Sequence, residues 1–308
     1  MTRPTNRRTF LGGTALATLA VASGSSGLFR AQEALAIEPI QRRGGSKTKL
    51  TLAAYSYRNL LTGRRAKLTL KDFIDDCAKF GLEGTELTSY YFPKSVTPEY
   101  LNELKGQAFR LGLSISSTAV KNDFCLPPGE KRDKEIAHVK QWIDYAHGLG
   151  APVIRIFSGK EGWRQSPDEA HRLVVEGIEE CCRYAAKKGV FLGLENHGGL
   201  TGTAQSMLKI VHAVKSPWFG AWMDTGNFHS EDVYGELEMI APYTLQVQVK
   251  VATSAAGQKK KPTDFKRIAK ILNRAGYRGW ICLEYEEKEN PRIACPGYIE
   301  KLREAFTA

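Results

Sequence analysis

The segment KKGVFLGLENHGG, residues 187–199, contains the pattern that decides the fold. Two lysines and a glycine close a helical stretch, an apolar run follows, and the run ends in Glu195, Asn196 and His197. Glycine often ends a helix because it accepts the left-handed backbone conformation of the turn. The segment is therefore typical of a helix–strand junction whose strand delivers polar side chains at its carboxyl end.

The same pattern recurs through the rest of the chain. Further glycine-containing helix ends occur in KFGLEG, RLGLS, GLGAP and RAGYRG. Strand-like apolar runs lie at 49–56, 82–88, 113–119, 152–158, 190–195, 218–224, 244–250 and 280–286. Alternation of such strands with helical segments predicts an α/β fold, a (β/α)8 TIM barrel. An open doubly wound sheet is the alternative, but the first strand continues as YSYRNLLTG, without a glycine-rich phosphate loop.

The N-terminus has the features of an export signal. Arg7 and Arg8 precede Phe10-Leu11 and a weakly apolar stretch, and Ala34-Leu35-Ala36 offers a small-x-small cleavage site. This arrangement resembles a twin-arginine signal, with a Sec signal or a lipid-facing anchor as the alternative. We predict a signal peptide over 1–36, a linker or arm over 37–49, and one barrel domain over 50–308. The mature protein is expected to be periplasmic or extracellular, without a stable membrane anchor.

Composition restricts the partners. The net charge of +11 is spread along the chain, with Lys259–Lys261 as its dense patch, so nucleic-acid binding is not expected. A homo-oligomer is left open. The 6 cysteines form no CxxC pair, and we expect mostly free, buried thiols.

In a TIM barrel the active site lies at the carboxyl ends of the strands. Glu195, Asp224 and Glu284 end the fifth, sixth and eighth predicted strands, so they would converge and repel each other. A divalent cation would relieve this repulsion, and carboxylate and amide oxygens suit Mg²⁺ or Mn²⁺.

The segments LGLENH, WFGAWMDTGN, LQVQVK and ICLEYE, in that order, resemble the xylose isomerase-like TIM-barrel family of sugar isomerases and epimerases. The resemblance covers nearly all of residues 50–306. It implies a metal held by Glu195, Asp224, Gln248 and Glu284, with Glu195 and Glu284 sharing the base and acid work. Gln248 stands where the family usually has His. Its oxygen can still ligate Mn²⁺ or Mg²⁺, with Co²⁺ or Zn²⁺ as alternatives.

Other strand-end side chains are candidates for substrate binding. His197 lies two residues beyond Glu195, so strand alternation places both on one side. Arg155 and Lys250 could hold substrate oxygens or neutralise the acidic ring. Of Tyr55 and Tyr57, at least one is explained by core packing. The predicted substrate-binding residues are His197, Lys250, Arg155, Glu86, Asn227 and Tyr57.

With the resemblance, these residues imply a metal-dependent isomerase or epimerase whose substrate is a small-molecule carbohydrate. It would remove a proton next to a carbonyl and pass through an enediolate. A lyase acting on keto-sugars or keto-glycosides uses the same intermediate and is the first alternative. A non-catalytic sugar-binding barrel is the second. A multi-zinc nuclease is disfavoured because the chain has only 6 histidines.

Overall fold

The structure is a computed structural model that describes residues 37–63, 66–160 and 166–307. The predicted signal peptide lies outside these residues, so its assignment stays a prediction. None of the helices within the described ranges is long and apolar enough to cross a membrane.

Eight parallel strands form a closed barrel. They are β1 (Lys47–Ala53), β2 (Gly84–Thr88), β3 (Ser114–Ala119), β4 (Val153–Ile156), β5 (Phe191–Glu195), β6 (Phe219–Asp224), β7 (Thr244–Lys250) and β10 (Arg278–Glu284). A short hairpin of β8 (Ala252–Thr253) and β9 (Lys261–Pro262) follows β7. Around the barrel the strand order is β1-β10-β7-β6-β5-β4-β3-β2. Each predicted strand is present with boundaries shifted by a few residues, which confirms the (β/α)8 prediction.

Helices surround the barrel and connect its strands. They are α1 (Arg58–Leu61), α2 (Leu70–Lys79), α3 (Pro98–Arg110), α4 (Glu130–Leu149), α5 (Pro167–Lys188), α6 (Ala204–Ala213), α7 (Val233–Ile240), α8 (Phe265–Arg274) and α9 (Pro291–Thr307). The boundaries of α5 illustrate why the helices begin and end where they do. Ser166 caps the N-terminus of α5 by accepting a hydrogen bond from the Glu169 N–H, and Gly189 ends the helix with a φ of 68°. The glycine of KKGVF therefore ends α5 just before the fifth strand, as predicted.

The segment before β1 lies along the barrel rather than away from it. The Ile40 N–H donates to the Pro242 carbonyl at 3.0 Å, and the Ser46 hydroxyl donates to the Tyr277 carbonyl at 2.6 Å. β1 begins at Lys47, inside the range predicted as a linker or arm. The last residues of that range thus pair with β10, because the strand extends further toward the N-terminus than its apolar part.

Polar side chains cross the barrel interior below the mouth. The Gln246 amide of β7 donates to the Ser117 hydroxyl of β3 at 3.1 Å, and the hydroxyls of Thr51 and Ser116 lie 3.2 Å apart. These contacts join strands that are not neighbours in the barrel, so they fix its cross-section. The prediction of buried thiols is confirmed: Cys125 is buried, and the buried free thiols are Cys77, Cys181, Cys182, Cys282 and Cys295.

Candidate active site

A cavity of about 460 Å³ opens at the carboxyl ends of the strands. Three of its walls carry acids predicted from the sequence, namely Glu86, Glu195 and Glu284. The other predicted residues that line it are Arg155, His197, Asn227, Gln248 and Lys250. The strand ends therefore converge as the barrel fold requires.

Side chains at the end of β5 alternate between the cavity and the neighbouring strand. Glu195 and His197 line the cavity, which confirms that they lie on the same side. Asn196 faces the adjacent strand, where its amide donates to the Asp224 carbonyl at 2.9 Å and its oxygen accepts from the Asp224 N–H at 2.8 Å. This double hydrogen bond fixes the position of Asp224 relative to Glu195.

Lys250 is the centre of an acidic cluster formed by β6, β7 and the end of β10. Its ammonium lies 2.7 Å from Glu284 Oε1, 2.9 Å from Glu286 Oε2 and 3.7 Å from Asp224 Oδ2. Burial disfavours the charge on Lys250, but Asp224, Glu284 and Glu286 outweigh it and raise the pKa of the lysine above its ordinary value. Lys250 therefore stays charged at neutral pH.

Two acids of this cluster have raised pKa values. Burial raises the pKa of Asp224 well above its ordinary value, with further contributions from the charges of Glu284 and Glu195, while Lys250 opposes the shift. Burial likewise raises the pKa of Glu284, against the effect of Lys250 and with that of Glu286. A carboxylate with a raised pKa is a stronger base, so Glu284 is suited to accept a proton.

The amide of Gln248 has a defined orientation. The indole N–H of Trp222, which is fully buried, donates to Gln248 Oε1 at 2.9 Å. The amide nitrogen is consequently turned toward Glu284 Oε2 and hydrogen-bonded to it. An indole N–H can only donate, so the reversed amide would leave two donors facing each other.

The four predicted metal ligands do not form a ligand set in this arrangement. Asp224 Oδ2 has no hydrogen-bond partner within the described part of the chain, as expected of an oxygen that faces a cation. The oxygen of Gln248, however, points to Trp222 while the amide nitrogen faces Glu284, and Lys250 donates to Glu284 Oε1. In residues 37–63, 66–160 and 166–307, no three His, Cys, Asp or Glu side chains are grouped to hold a metal ion. The residues present thus do not fit a divalent metal as they lie.

Arg155 forms the second buried cation of the cavity. Its guanidinium donates to Glu195 Oε2 at 2.9 Å and to the Tyr90 hydroxyl at 2.9 Å, and it lies 4.0 Å from the centre of the Phe157 ring. Burial opposes its charge, but Glu195 and other nearby acidic groups outweigh this effect and raise the pKa of the arginine. Arg155 therefore neutralises Glu195 and still presents one edge to the cavity.

Glu86 is an acid of the cavity whose pKa is raised to near neutral pH. Its Oε1 accepts from the Thr88 hydroxyl at 3.2 Å, and its Oε2 accepts from the Cys282 thiol at 3.5 Å. Burial raises the pKa of Glu86 to about 7, with Arg155 opposing and the charge of Glu284 adding to the shift. At neutral pH this carboxyl group can therefore give as well as take a proton.

Tyr57 was predicted to bind substrate, and the structure corrects this. The chain leaves β1 at Ala53 and enters a 3-10 helix over Ala54–Tyr57. With about three residues per turn, Tyr55 and Tyr57 point to different sides. Tyr55 lines the cavity, whereas Tyr57 is fully buried, with its hydroxyl 3.4 Å from Asp76 Oδ2.

Two aromatic residues of the cavity were missed from the sequence. Tyr90 and Phe157 line it. Phe157 directly follows the end of β4 in IRIF (154–157), and Tyr90 lies two residues beyond the end of β2 in ELTSY (86–90). Their position just beyond a strand end was the signal in the sequence that could have identified them as cavity residues. Asn227, which was predicted to bind substrate, lines the cavity, and its buried Nδ2 has no hydrogen-bond partner among the residues described. It can donate to a bound ligand.

Comparisons with known proteins agree with this architecture. A family model described as xylose isomerase-like TIM barrel matches residues 74–304. An inosose dehydratase of Clostridium beijerinckii (strain ATCC 51743 / NCIMB 8052) is 26% identical, covering 76% of this chain and 88% of the relative. Two solved structures share the fold. A D-psicose 3-epimerase from Clostridium cellulolyticum H10 has a TM-score of 0.70 at 15% identity, with 84% of this chain and 99% of that chain covered. A 3-keto-D-glucoside 4-epimerase from E. coli has a TM-score of 0.67 at 14% identity, covering 84% and 100%.

Proposed function

The chain belongs to the xylose isomerase-like TIM barrel family, and from this premise we propose that it is a sugar isomerase or epimerase. It removes a proton from the carbon next to a carbonyl group and returns it to a different face or carbon. The observation that carries the proposal is that Glu195 and Glu284 line one cavity from β5 and β10, which are separated in the barrel by β6 and β7. Two carboxylates on well-separated walls can serve both faces of a flat intermediate.

The reaction can be followed through the side chains of the cavity. Glu284, whose pKa is raised by burial, takes the proton from the carbon, and the electron pair of the broken C–H bond moves onto the carbonyl oxygen. The resulting enediolate is stabilised by the positive charges that line the cavity, those of Lys250 and Arg155. Reprotonation on the opposite face, by a proton that the Glu195 carboxylate takes up from solvent, gives an epimer, and reprotonation on the neighbouring carbon gives an isomer. His197 and Asn227 hold the sugar hydroxyls.

A second candidate function is dehydration, a lyase reaction. It starts with the same proton abstraction, but the enediolate then expels a hydroxyl group from the β carbon. Glu86 favours this route, because a carboxyl group with a pKa of about 7 can protonate the departing oxygen at neutral pH. The dehydratase relative supports it as well. A glycoside oxygen in place of the hydroxyl would make the substrate a keto-glycoside.

Hydrogen exchange in heavy water tests the step that both reactions share, which is removal of the proton next to the carbonyl group. The purified protein is incubated in D₂O with ketoses, 3-keto-glycosides and an inosose, and deuterium at the carbon next to the carbonyl is followed by NMR. We expect exchange with at least one of these substrate classes. A change of configuration in the product identifies epimerisation, and loss of water identifies dehydration. Lack of exchange in every class would contradict an enzyme and favour the sugar-binding barrel.

Variants identify the base. Glu284→Gln should reduce exchange by at least about 100-fold, the usual contribution of a positioned base. The matched control is Glu289→Gln, at an exposed position of the loop that follows the same strand, which should exchange at the wild-type rate. Equal rates for Glu284→Gln and the wild type would remove Glu284 from the mechanism.

A further inference from the structure

We propose that the ammonium group of Lys250 is the cation that stabilises the oxyanion in this barrel, and that the enzyme works without a divalent metal. The catalytic half of this inference rests on the proposed function, whereas the metal half is independent of it. It departs from the expectation that Glu195, Asp224, Gln248 and Glu284 hold a metal. The reasons lie in the orientation of one amide and the position of one lysine.

The first reason is that Gln248 cannot act as a metal ligand in its present orientation. Its oxygen accepts from Trp222 Nε1 at 2.9 Å, and its nitrogen faces Glu284. An amide nitrogen carries two hydrogens and has no free electron pair for a metal. If the amide rotated to offer its oxygen, the buried indole N–H would lose its acceptor, which folded proteins rarely tolerate. Trp222 thus closes one position of the expected ligand set.

The second reason is that Lys250 already places a positive charge among the carboxylates. Two of its three N–H donors are hydrogen-bonded to Glu284 and Glu286, and Asp224 Oδ2 lies 3.7 Å from the ammonium, beyond hydrogen-bond distance. The third donor is therefore available to a substrate oxygen. A divalent ion shared between Asp224 and Glu284 would lie beside this ammonium and be repelled by it. One ammonium therefore offsets part of the negative charge of this cluster from within the chain.

The position of Lys250 is built into the fold. Its backbone N–H donates to the Thr225 hydroxyl at 3.0 Å, and its side chain is only 12% exposed. The stem packs on Gly226, where a Cβ atom would lie 2.7 Å from Lys250 Cδ. The glycine thus leaves the space through which the lysine reaches the cavity wall. A side chain held in this way is preorganised, as an oxyanion-stabilising group has to be.

The role in catalysis follows from the cavity. Lys250 lines it beside Glu284, so a substrate carbonyl oxygen at the ammonium brings the adjacent carbon toward the base. As Glu284 takes the proton, negative charge develops on that oxygen and is met by the ammonium. The lysine keeps its protons throughout. The proton held by Glu284 returns to the substrate in isomerisation. In epimerisation or dehydration it passes to solvent, while Glu195 or Glu86 regains from solvent the proton that it gave.

Metal titration tests the inference without reference to activity. The full chain is treated with EDTA, dialysed, and titrated with MnCl₂ by isothermal calorimetry and thermal shift, with metal content measured by mass spectrometry. We expect no stoichiometric Mn²⁺ and no metal-dependent rise in melting temperature for the wild type. The double variant Gln248→His, Lys250→Met supplies a ligand and removes the competing cation, so it should bind Mn²⁺. Stoichiometric binding by the wild type that Glu284→Gln abolishes would overturn the proposal.

Kinetics then test the role of Lys250. Exchange by the wild type should be unaffected by EDTA, and Lys250→Met should lower kcat by at least about 100-fold, as removal of an oxyanion-stabilising donor does, with a smaller change in KM. The control is Lys260→Met, an exposed lysine paired with Glu287, which should keep the wild-type rate. Loss of activity in EDTA that Mn²⁺ restores would refute the inference while leaving the proposed function intact. If no substrate is exchanged, the proposed function fails and the titration still decides the metal.

Discussion

Replacing Glu86 by glutamine should remove a loss of stability that the wild type undergoes between about pH 4.5 and about pH 7. Glu86 is 1% exposed, and burial raises the pKa of its carboxyl group to about 7 from an ordinary value of 4.5. Between these two values the folded protein holds a proton that the unfolded chain releases. Wild-type stability therefore falls as the pH rises from about 4.5 to about 7, and this loss persists above pH 7. A glutamine side chain at this position has nearly the same volume and does not titrate.

The size of the effect follows from the shift. The difference between the two pKa values corresponds to about 3 kcal/mol of stability, an order-of-magnitude figure. The free energy of unfolding of Glu86→Gln, relative to the wild type, should thus rise by about 3 kcal/mol from about pH 4 to about pH 8. Changed hydrogen bonds to Thr88 and Cys282 add a constant offset, so the slope with pH is the informative quantity.

Urea unfolding followed by tryptophan fluorescence at several pH values measures this slope. The matched control is Glu231→Gln, at an exposed position, whose difference from the wild type should stay constant within about 0.5 kcal/mol. A difference for Glu86→Gln that is equally constant, or that falls as the pH rises, would refute the reasoning. It would mean that Glu86 is already ionised in the folded protein at low pH.

Other predictions concern individual side chains. Arg155→Met should destabilise the protein by about 3–5 kcal/mol, because it leaves Glu195 buried without its partner; a melting curve close to that of the wild type would contradict this. Tyr57→Phe should lower the melting temperature slightly and leave KM unchanged, whereas Tyr55→Ala should raise KM. Steady-state kinetics with a sugar that undergoes deuterium exchange measures both KM values, and a raised KM for Tyr57→Phe but not for Tyr55→Ala would contradict the assignment. Replacing Arg7 and Arg8 by lysines should leave the precursor in the cytoplasm, as cell fractionation would reveal; continued export would argue against the twin-arginine route.

The fold could be predicted because its signals are local. A glycine that ends α5 at φ 68°, followed by an apolar run, specifies a helix–strand junction from a few adjacent residues. Repetition of such junctions along the chain leaves little choice of architecture. The same reasoning predicted that Glu195 and His197 line one cavity, because alternation along a strand needs no knowledge of the neighbouring strands.

The details of the site depend on contacts between strands, which a single sequence does not specify. Gly193 lies in the fifth strand, and a Cβ atom there would approach the Trp222 ring to 3.0 Å. The absence of a side chain at 193 gives the indole its place, and the indole then orients Gln248. Tyr57 was misplaced for a simpler reason: the strand ended at Ala53, and a 3-10 turn replaced the expected alternation.

The enediolate can either epimerise or lose water. The outcome depends on which substrate atom receives the second proton, which is the proton that the protein donates after the enediolate has formed. Epimerisation returns it to carbon, and the Glu195 carboxyl group can do this without Glu86. Dehydration delivers it to a departing oxygen, for which Glu86, with a pKa of about 7, is suited at neutral pH. Dehydration by this route should therefore slow as the pH rises through about 7, and Glu86→Gln should abolish it while sparing deuterium exchange at the carbon. If the variant instead loses exchange together with dehydration, Glu86 acts in the shared first step, and the division of labour between the three glutamates proposed above is wrong.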